Sequence, residues 1–123
     1  MLDGVRFCHA SPISDLRSFM PRPGEDDDEL LGGVPERRVV FGHTHLPFRR
    51  VRDDGAELIN PGSVGFPFDG DTRAAYALVH DDGAVEHRRV AYDVEVSIGA
   101  LSERFVEADW ASRSSQWLRQ AHR

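Results

Sequence analysis

Three short, largely apolar segments of the chain each lead into a loop that carries polar or histidine side chains. These segments cover residues 5–8, 38–41 and 56–59, and their composition favours buried strands. The loops that follow contain His9, then His43 and His45, and then Asn60-Pro61-Gly62-Ser63. Because open sheets place their sites beyond the ends of strands, we expect these three loops to lie along one rim of a sheet.

The tetrapeptide Gly42-His43-Thr44-His45 is the most informative of these loops. Side chains on an extended segment repeat with a period of two, so His43 and His45 are predicted to point to the same side. Gly42 is expected to let the backbone leave the strand tightly, and Pro47 to end regular pairing. Two imidazoles placed in this way suit one metal site or a pair of ions. His pairs of this spacing also occur on solvated strands, which is the alternative.

The chemistry of imidazole limits what such a site can do. Neutral histidine nitrogens suit Zn, Fe, Mn, Ni or Co. Two divalent ions about 3.5–4 Å apart can clamp a phosphoryl group, lower the pKa of a bound water and stabilise the leaving oxygen. Such a pair needs carboxylate ligands to offset its charge, and none of the three loops supplies an Asp. The residues therefore indicate an incomplete two-metal site, with a mononuclear three-histidine zinc site as the alternative.

The three loops together resemble motifs of the calcineurin-like metallophosphoesterases, in particular the small bacterial and archaeal phosphodiesterase branch. The similar segments occur in the family's order and extend the resemblance from about Val5 to Asp93. They are Cys8-His9-Ala10-Ser11-Pro12, Gly42-His43-Thr44-His45-Leu46-Pro47 and Asn60-Pro61-Gly62-Ser63-Val64-Gly65. Ala10 stands where the family usually has Gly, which changes the expected shape of that loop and leaves the histidine in place.

The resemblance implies a metal-dependent phosphoester hydrolase that uses two divalent ions in the complete protein. It implies that His9 and His43 are ligands of one ion and that His45 is a ligand of the other, with Mn, Fe, Zn, Ni and Co all compatible. Gly42, Asn60 and Ser63 are implied to shape the loops around the site. The bridging Asp and the general-acid His of the family have no counterpart, so no catalytic residue is assigned.

Three motifs of the family's amino-terminal half are missing from the sequence. They are Asp-x-His, Gly-Asp-x-x-Asp and Gly-Asn-His-Asp/Glu, and the chain starts at Met1-Leu2-Asp3-Gly4, just before the fourth motif. We therefore expect residues 1–123 to be the carboxy-terminal portion of a calcineurin-like phosphoesterase domain, from a truncated or a split gene. The expected partners are a phosphoester substrate and either the missing half or a second copy. A non-catalytic pairing module of a split enzyme is a further alternative.

Composition and charge exclude several other classes of protein. With 40% hydrophobic residues the chain is expected to fold, and its length allows at most one domain with a modest core. No apolar run approaches the ~20 residues of a membrane span, and no signal peptide is evident. The net charge of −6 and the dispersed arginines argue against a nucleic-acid groove, although Arg49 or Arg50 can steer a phosphate. The single cysteine, Cys8, suits the cytoplasm and a small buried position.

The predicted fold class is α/β (α+β), with one sheet layer and peripheral helices that form half of a metallophosphoesterase β-sandwich. The acidic run 25–28 is expected to cap a short helix through Leu31. Trp110 and Trp117 are expected to close the core, and His80 and His87 to be exposed strand residues. The predicted elements are strands at 4–8, 39–42, 48–51 and 57–59, a turn or short helix at 13–20, a hairpin at 75–80 and 85–92, and helices at 94–110 and 111–122.

Overall fold

Two separate sheets organise the chain in the computed structural model, which describes residues 4–106 and 108–122. One sheet has four strands and belongs to the unit Met1–Gly62, and the other has two strands and belongs to the unit Ser63–Arg123. The mixed α/β class is confirmed. The expected single sheet layer is wrong, because the strands of the second unit pair with each other in a sheet of their own.

The four-stranded sheet of the first unit combines parallel and antiparallel pairing. Its strand order is β1-β2-β4-β3, in which β1, β2 and β4 run parallel and β3 is antiparallel to β4. A short helix, α1, lies between β1 and β2 in the sequence. The bounds are β1 Val5–Phe7, α1 Asp27–Leu31, β2 Arg38–Val40, β3 Phe48–Val51 and β4 Glu57–Asn60. These strands match the sequence prediction to within two residues at each end.

The core of the first unit is built from apolar side chains of the sheet, of α1 and of the loop before it. The aromatic ring of Phe41 lies 5.1 Å from that of Phe19 and 5.6 Å from that of Phe48, measured between ring centroids. Aromatic pairs at this spacing add to the stabilisation that burial itself supplies. The fully or almost fully buried members are Phe19, Leu30, Val39, Phe41 and Leu58. This core supports the strands from which the candidate loops emerge.

Two local predictions for the first unit have different outcomes. Residues 13–20 contain a turn, bends and irregular backbone, which matches the turn alternative of the prediction. Asp26 occupies the N-cap position of α1, yet its side chain makes no capping hydrogen bond. Instead, the buried Asp27 pairs with Arg50 at 2.7 Å, and the neighbouring Asp28 pairs with Arg52. The acidic run therefore meets arginines of β3 and the residue that follows it, and the buried carboxylate of Asp27 is paired with a charge.

Within its described residues, the second unit contains a β-hairpin and two helices. Strand β5 is Ala74–Val79 and β6 is Val85–Val90, and Gly83 takes a φ of 81° in the turn between them. This confirms the predicted hairpin. His80 is exposed after β5, as expected, whereas His87 in β6 is partly buried. Helix α2 is Val94–Arg104 and α3 is Asp109–Gln120. Among helices of the described ranges, none has the length and apolarity needed to cross a bilayer.

The boundary between the two helices differs from the prediction. Helix α2 ends at Arg104, because Phe105 leaves the helical conformation with a φ of −131°, while the predicted helix also ran through residue 107, which lies outside the described ranges. Trp110 then belongs to α3, is 50% exposed and packs on Phe105 at a centroid distance of 4.8 Å. Its predicted place in the core is therefore wrong. Trp117 is partly buried and contacts the ring of Phe68.

Candidate metal centre

The three candidate loops follow three neighbouring parallel strands. His9 follows β1, the segment Gly42-His43-Thr44-His45 follows β2, and Asn60 is the last residue of β4. Since β1, β2 and β4 are adjacent and parallel, their carboxyl ends lie at the same edge of the sheet. The predicted common rim is confirmed, and a site here occupies the place where open sheets generally bind ligands.

His9 and His43 are brought into direct contact at this rim. The Nδ1 atom of His43 lies 3.2 Å from the Nε2 atom of His9. The two rings meet edge to face, with centroids 5.1 Å apart and an interplanar angle of 83°. His9 is exposed and His43 is partly exposed, so the pair is open to solvent and to ligands. Two imidazole nitrogens that face each other in a solvent-accessible loop form a candidate metal-binding pair.

The spacing of these two nitrogens suits a shared divalent ion. Nitrogen ligands lie about 2.0–2.1 Å from zinc, so two of them on one ion are separated by roughly 2.8–3.0 Å at an octahedral angle and roughly 3.3–3.4 Å at a tetrahedral angle. The observed 3.2 Å lies between these two values. Without an ion, one ring donates its N–H to the other. With an ion, the ring protons must sit on Nδ1 of His9 and Nε2 of His43, so that both facing nitrogens present lone pairs.

The backbone of the histidine loop is strained rather than extended. His43 and His45 have φ values of 64° and 60°, in the left-handed region that non-glycine residues seldom adopt. The N–H of Thr44 donates to the carbonyl oxygen of Gly42 at 2.8 Å and closes a γ-turn around His43. Such conformations cost about 1–3 kcal/mol per residue and cluster at binding and active sites. The prediction that His43 and His45 lie on an extended segment, with side chains that repeat at a period of two, is therefore wrong.

Gly42 has a different part in this loop from the one expected. Its φ is not positive, and a Cβ atom at this position would lie 3.7 Å from the carbonyl oxygen of His9, which is an ordinary contact. The tight exit from β2 is produced by His43 and His45 instead. Gly42 contributes its backbone, because its N–H donates to the His9 carbonyl oxygen at 2.8 Å. That hydrogen bond joins the loop after β2 to the loop after β1.

His45 does not complete a three-residue cluster with this pair. Across residues 4–106 and 108–122, no three side chains of His, Cys, Asp or Glu form a group able to hold a metal ion. His45 is partly buried beyond the γ-turn. The three-histidine zinc site is thus not assembled in the described part of the chain. The roles of His9, His43 and His45 as metal ligands stay predictions, of which the first two have supporting geometry.

The loop-shaping residues Asn60 and Ser63 have separate surroundings. Asn60 is fully buried at the rim, and its Oδ1 accepts the N–H of Gly62 at 2.9 Å in a side-chain-stabilised turn. Gly62 takes a φ of 87° there. Ser63 begins the second unit, where its Oγ accepts the N–H of Phe66 at 2.9 Å. Asn60 is therefore part of the rim that carries the histidines, and Ser63 shapes the turn that follows.

The buried carboxylates of the first unit are paired with arginines away from the rim. Glu36 pairs with Arg6, and Glu57, which begins β4 at the opposite end from Asn60, pairs with Arg38 and Arg49. Burial of an unpaired carboxylate is very unfavourable, which accounts for these pairs. Arg50 is paired with Asp27. Neither Arg49 nor Arg50, the two candidates for steering a phosphate, is thus free of an acidic partner.

Thr44 is the site residue that the sequence interpretation missed. Its Oγ1 accepts the N–H of Leu46 at 3.4 Å and also receives a hydrogen bond from Asn60. Its position between two histidines was visible, but the partner that gives the hydroxyl its role comes from another strand.

Cys8, beside His9, is partly buried, and burial raises the pKa of its thiol although Arg6 opposes the shift. Cys8 is therefore a small packing residue, as predicted, and a poor nucleophile.

Known proteins similar to this chain share its fold. A metallophosphoesterase from Sphaerobacter thermophilus matches with a TM-score of 0.82 and 23% identity, over 98% of this chain and 58% of that one. A hypothetical protein from Pyrococcus horikoshii OT3 matches with a TM-score of 0.70 and 20% identity, over 87% of this chain and 43% of that one. An uncharacterized protein from Methanocaldococcus jannaschii is 35% identical over 130 residues, or 93% of this chain and 49% of the relative. No model of a protein family matches the chain.

These similarities show that the chain has the fold of a metallophosphoesterase. The chain spans about half the length of the relatives it matches, with coverage of 49%, 58% and 43%. The resemblance seen in the sequence is thereby confirmed at the level of the fold. The assignment to a carboxy-terminal half and to the phosphodiesterase branch stays a prediction.

Proposed function

We propose that this chain is part of a metal-dependent phosphoester hydrolase that uses two divalent ions in its complete form. The observation that carries the proposal is the 3.2 Å approach of Nδ1 of His43 to Nε2 of His9 at the carboxyl edge of parallel strands. The metallophosphoesterase fold supports the same chemistry. Strained backbone at His43 and His45 is a further mark of a functional loop.

In this proposal His9 and His43 hold one divalent ion and His45 contributes to the second. The ions, when bound, stabilise the negative charge of a phosphoester and activate the attacking water. The histidines supply neutral nitrogen donors and keep their ring protons on the nitrogens that face away from the ions. Mn, Fe, Zn, Ni and Co all accept such donors. The loops of the rim, including Gly42 and Asn60, orient the two loop histidines.

The remaining ligands are proposed to come from a polypeptide that corresponds to the half of the relatives this chain does not span. Two observations support this. The chain covers 49% of its curated relative, and no three side chains of His, Cys, Asp or Glu among the residues described form a group able to hold a metal ion. Strand β1 ends the sheet, and Phe7 in it is 54% exposed. An edge strand with an exposed aromatic side chain can pair with another chain, so a complementing half, or failing that a second copy, is the proposed partner.

Paramagnetic titration of the purified chain tests the proposed metal pair. Substoichiometric Mn²⁺ is expected to broaden the imidazole NMR signals of His9 and His43 before those of His80 and His122. His9→Ala and His43→Ala should each abolish this preference, whereas His80→Ala, an exposed histidine of the second unit, should preserve it. Uniform broadening of all histidines would contradict the proposal.

Hydrolysis assays test the complete activity. The isolated chain is expected to bind ions weakly and to leave bis(4-nitrophenyl) phosphate essentially uncleaved, because the described residues supply no complete set of metal ligands. Addition of a chain that carries Asp-x-His and Gly-Asn-His motifs should restore turnover. Enzyme-like hydrolysis by a monodisperse monomer with two bound ions would overturn the view that a second half is needed. Full activity with one ion per chain would instead favour the mononuclear alternative.

A further inference from the structure

Asn60 makes hydrogen bonds to the two residues on either side of His43. Its Nδ2 donates to the carbonyl oxygen of Gly42 at 2.7 Å and to Oγ1 of Thr44 at 3.0 Å. Each of the two N–H bonds of the Asn60 amide group therefore has its own acceptor. Because Asn60 is 0% exposed, water cannot substitute for the amide donors. The contacts join the end of β4 to the loop after β2.

The two acceptors are also the two ends of the γ-turn around His43. The Gly42 carbonyl oxygen receives the N–H of Thr44 at 2.8 Å in addition to the amide of Asn60. The backbone of His43 itself has a φ of 64°, which L-residues rarely adopt. A strained turn persists when its surroundings hold both of its ends. Here Asn60 holds both ends from a neighbouring strand.

The geometry of this turn decides where the imidazole of His43 points. Rotation of the backbone at His43 toward an ordinary φ would change the direction of its side chain. In the observed conformation Nδ1 faces Nε2 of His9 at 3.2 Å. The Gly42 N–H, bonded to the His9 carbonyl oxygen at 2.8 Å, keeps the two loops in register.

We propose that Asn60 is a positioning residue that holds His43 in its left-handed turn and so aims Nδ1 at His9. The consequence for metal binding rests on the proposed function, whereas the consequence for the two rings does not. Asparagine suits the position because one short side chain supplies two donors to the turn and one acceptor to Gly62. Aspartate has the same shape and the same acceptor but no N–H to donate.

Substitution at Asn60 and Thr44 tests the proposal by NMR on the full chain. Asn60→Asp is expected to remove the nuclear Overhauser contact between the imidazoles of His9 and His43, while the remaining amide spectrum stays dispersed. Thr44→Val, which removes one of the two acceptors, should weaken the same contact, and Thr44→Ser should restore it. Asp54→Ala is the matched control, because it removes a side-chain acceptor of a backbone N–H in the β3–β4 turn.

The effect of these substitutions on metal binding is tested with Mn²⁺ alone as the probe. The concentration needed for half-maximal broadening of the His9 and His43 signals should rise about 10-fold or more in Asn60→Asp, as is usual when a group behind a ligand is lost. If the wild-type chain shows no selective broadening, the proposed function fails. In that case the nuclear Overhauser contact between the imidazoles of His9 and His43 still tests the role of Asn60. A ring contact retained in both Asn60→Asp and Thr44→Val would overturn the positioning role. Global unfolding of both variants would also overturn it, since it would mark a structural role.

Discussion

Nδ1 of His43 lies 3.2 Å from Nε2 of His9, although the two residues are 34 positions apart in the sequence. The contact arises because β1 and β2 are parallel neighbours whose carboxyl ends share one edge of the sheet. A left-handed turn at His43 then directs its ring back toward β1. The pair is therefore a product of strand order and of local backbone strain together.

Glycine and alanine at position 43 should separate the backbone strain from the role of the imidazole. His43→Gly is expected to be about 1 kcal/mol more stable than His43→Ala, because a φ of 64° is strained for alanine and free for glycine. Both variants should lose selective Mn²⁺ binding. Urea unfolding curves and the paramagnetic titration measure the two effects. Equal stability of the two variants would show that the turn relaxes once the ring is removed.

Acid should weaken the first unit partly through Glu36. Burial raises the pKa of this carboxyl. The hydrogen bond from its own backbone N–H and the Arg6 guanidinium at 2.9 Å together lower the pKa by more than burial raises it, so the net shift is downward. A lowered folded pKa stabilises the fold above the unfolded value of about 4.3, and this stabilisation is lost as the pH falls through the folded pKa.

Glu36→Gln tests this pH dependence. The variant should be less stable than wild type at neutral pH and should lose less stability than wild type when the pH falls below about 4.3. Thermal unfolding between neutral pH and the acid range measures the difference. Glu25→Gln, at an exposed loop position, is the control and should follow the wild-type curve. Parallel curves for Glu36→Gln and wild type would contradict the assignment.

The second unit should depend on the N-cap of α2. The Oδ1 atom of Asp93 accepts the N–H groups of Glu95 at 3.0 Å and Val96 at 3.3 Å. Asp93→Ala should cost about 1 kcal/mol of unfolding free energy, and Asp93→Asn should retain most of it. Far-UV circular dichroism in urea gives the comparison. Glu103→Ala, on the exposed last turn of the same helix, should change stability little, and a similar loss there would argue against a specific cap.

The central strand β4 should be the most sensitive element of the first unit. Leu58 is 0% exposed and lies between β2 and β3, opposite Val39 and Arg50. Leu58→Ala should cost about 2–5 kcal/mol, because it removes buried surface and leaves a cavity. Val51→Ala, at a position of β3 that is 59% exposed, should cost far less. Similar losses at the two positions, measured by urea unfolding, would place the core elsewhere.

Much of the fold followed from sequence patterns because those patterns are local. Apolar runs predicted strands β1, β2 and β4, and the turn signals Asp53-Asp54-Gly55 and Asp81-Asp82-Gly83 predicted the hairpins that contain β3, β5 and β6. The common rim for His9, His43 and Asn60 followed from the general placement of sites in open sheets. The end of α2 was missed because apolar spacing at Phe105 and Val106 continued beyond the helix, and Val106 is 80% exposed.

The sequence by itself determined which residues are available as ligands and which strand each one follows, since both are properties of short segments. Only the tertiary structure decided that His43 meets His9 while His45 forms no three-residue metal group with them in the described part of the chain. The same holds for the pairing of Glu57 with arginines of two neighbouring strands and for the amide of Asn60 that holds the turn at His43. These outcomes depend on strand order and on backbone angles stabilised by distant partners, and neither is encoded in the spacing of residues along one segment.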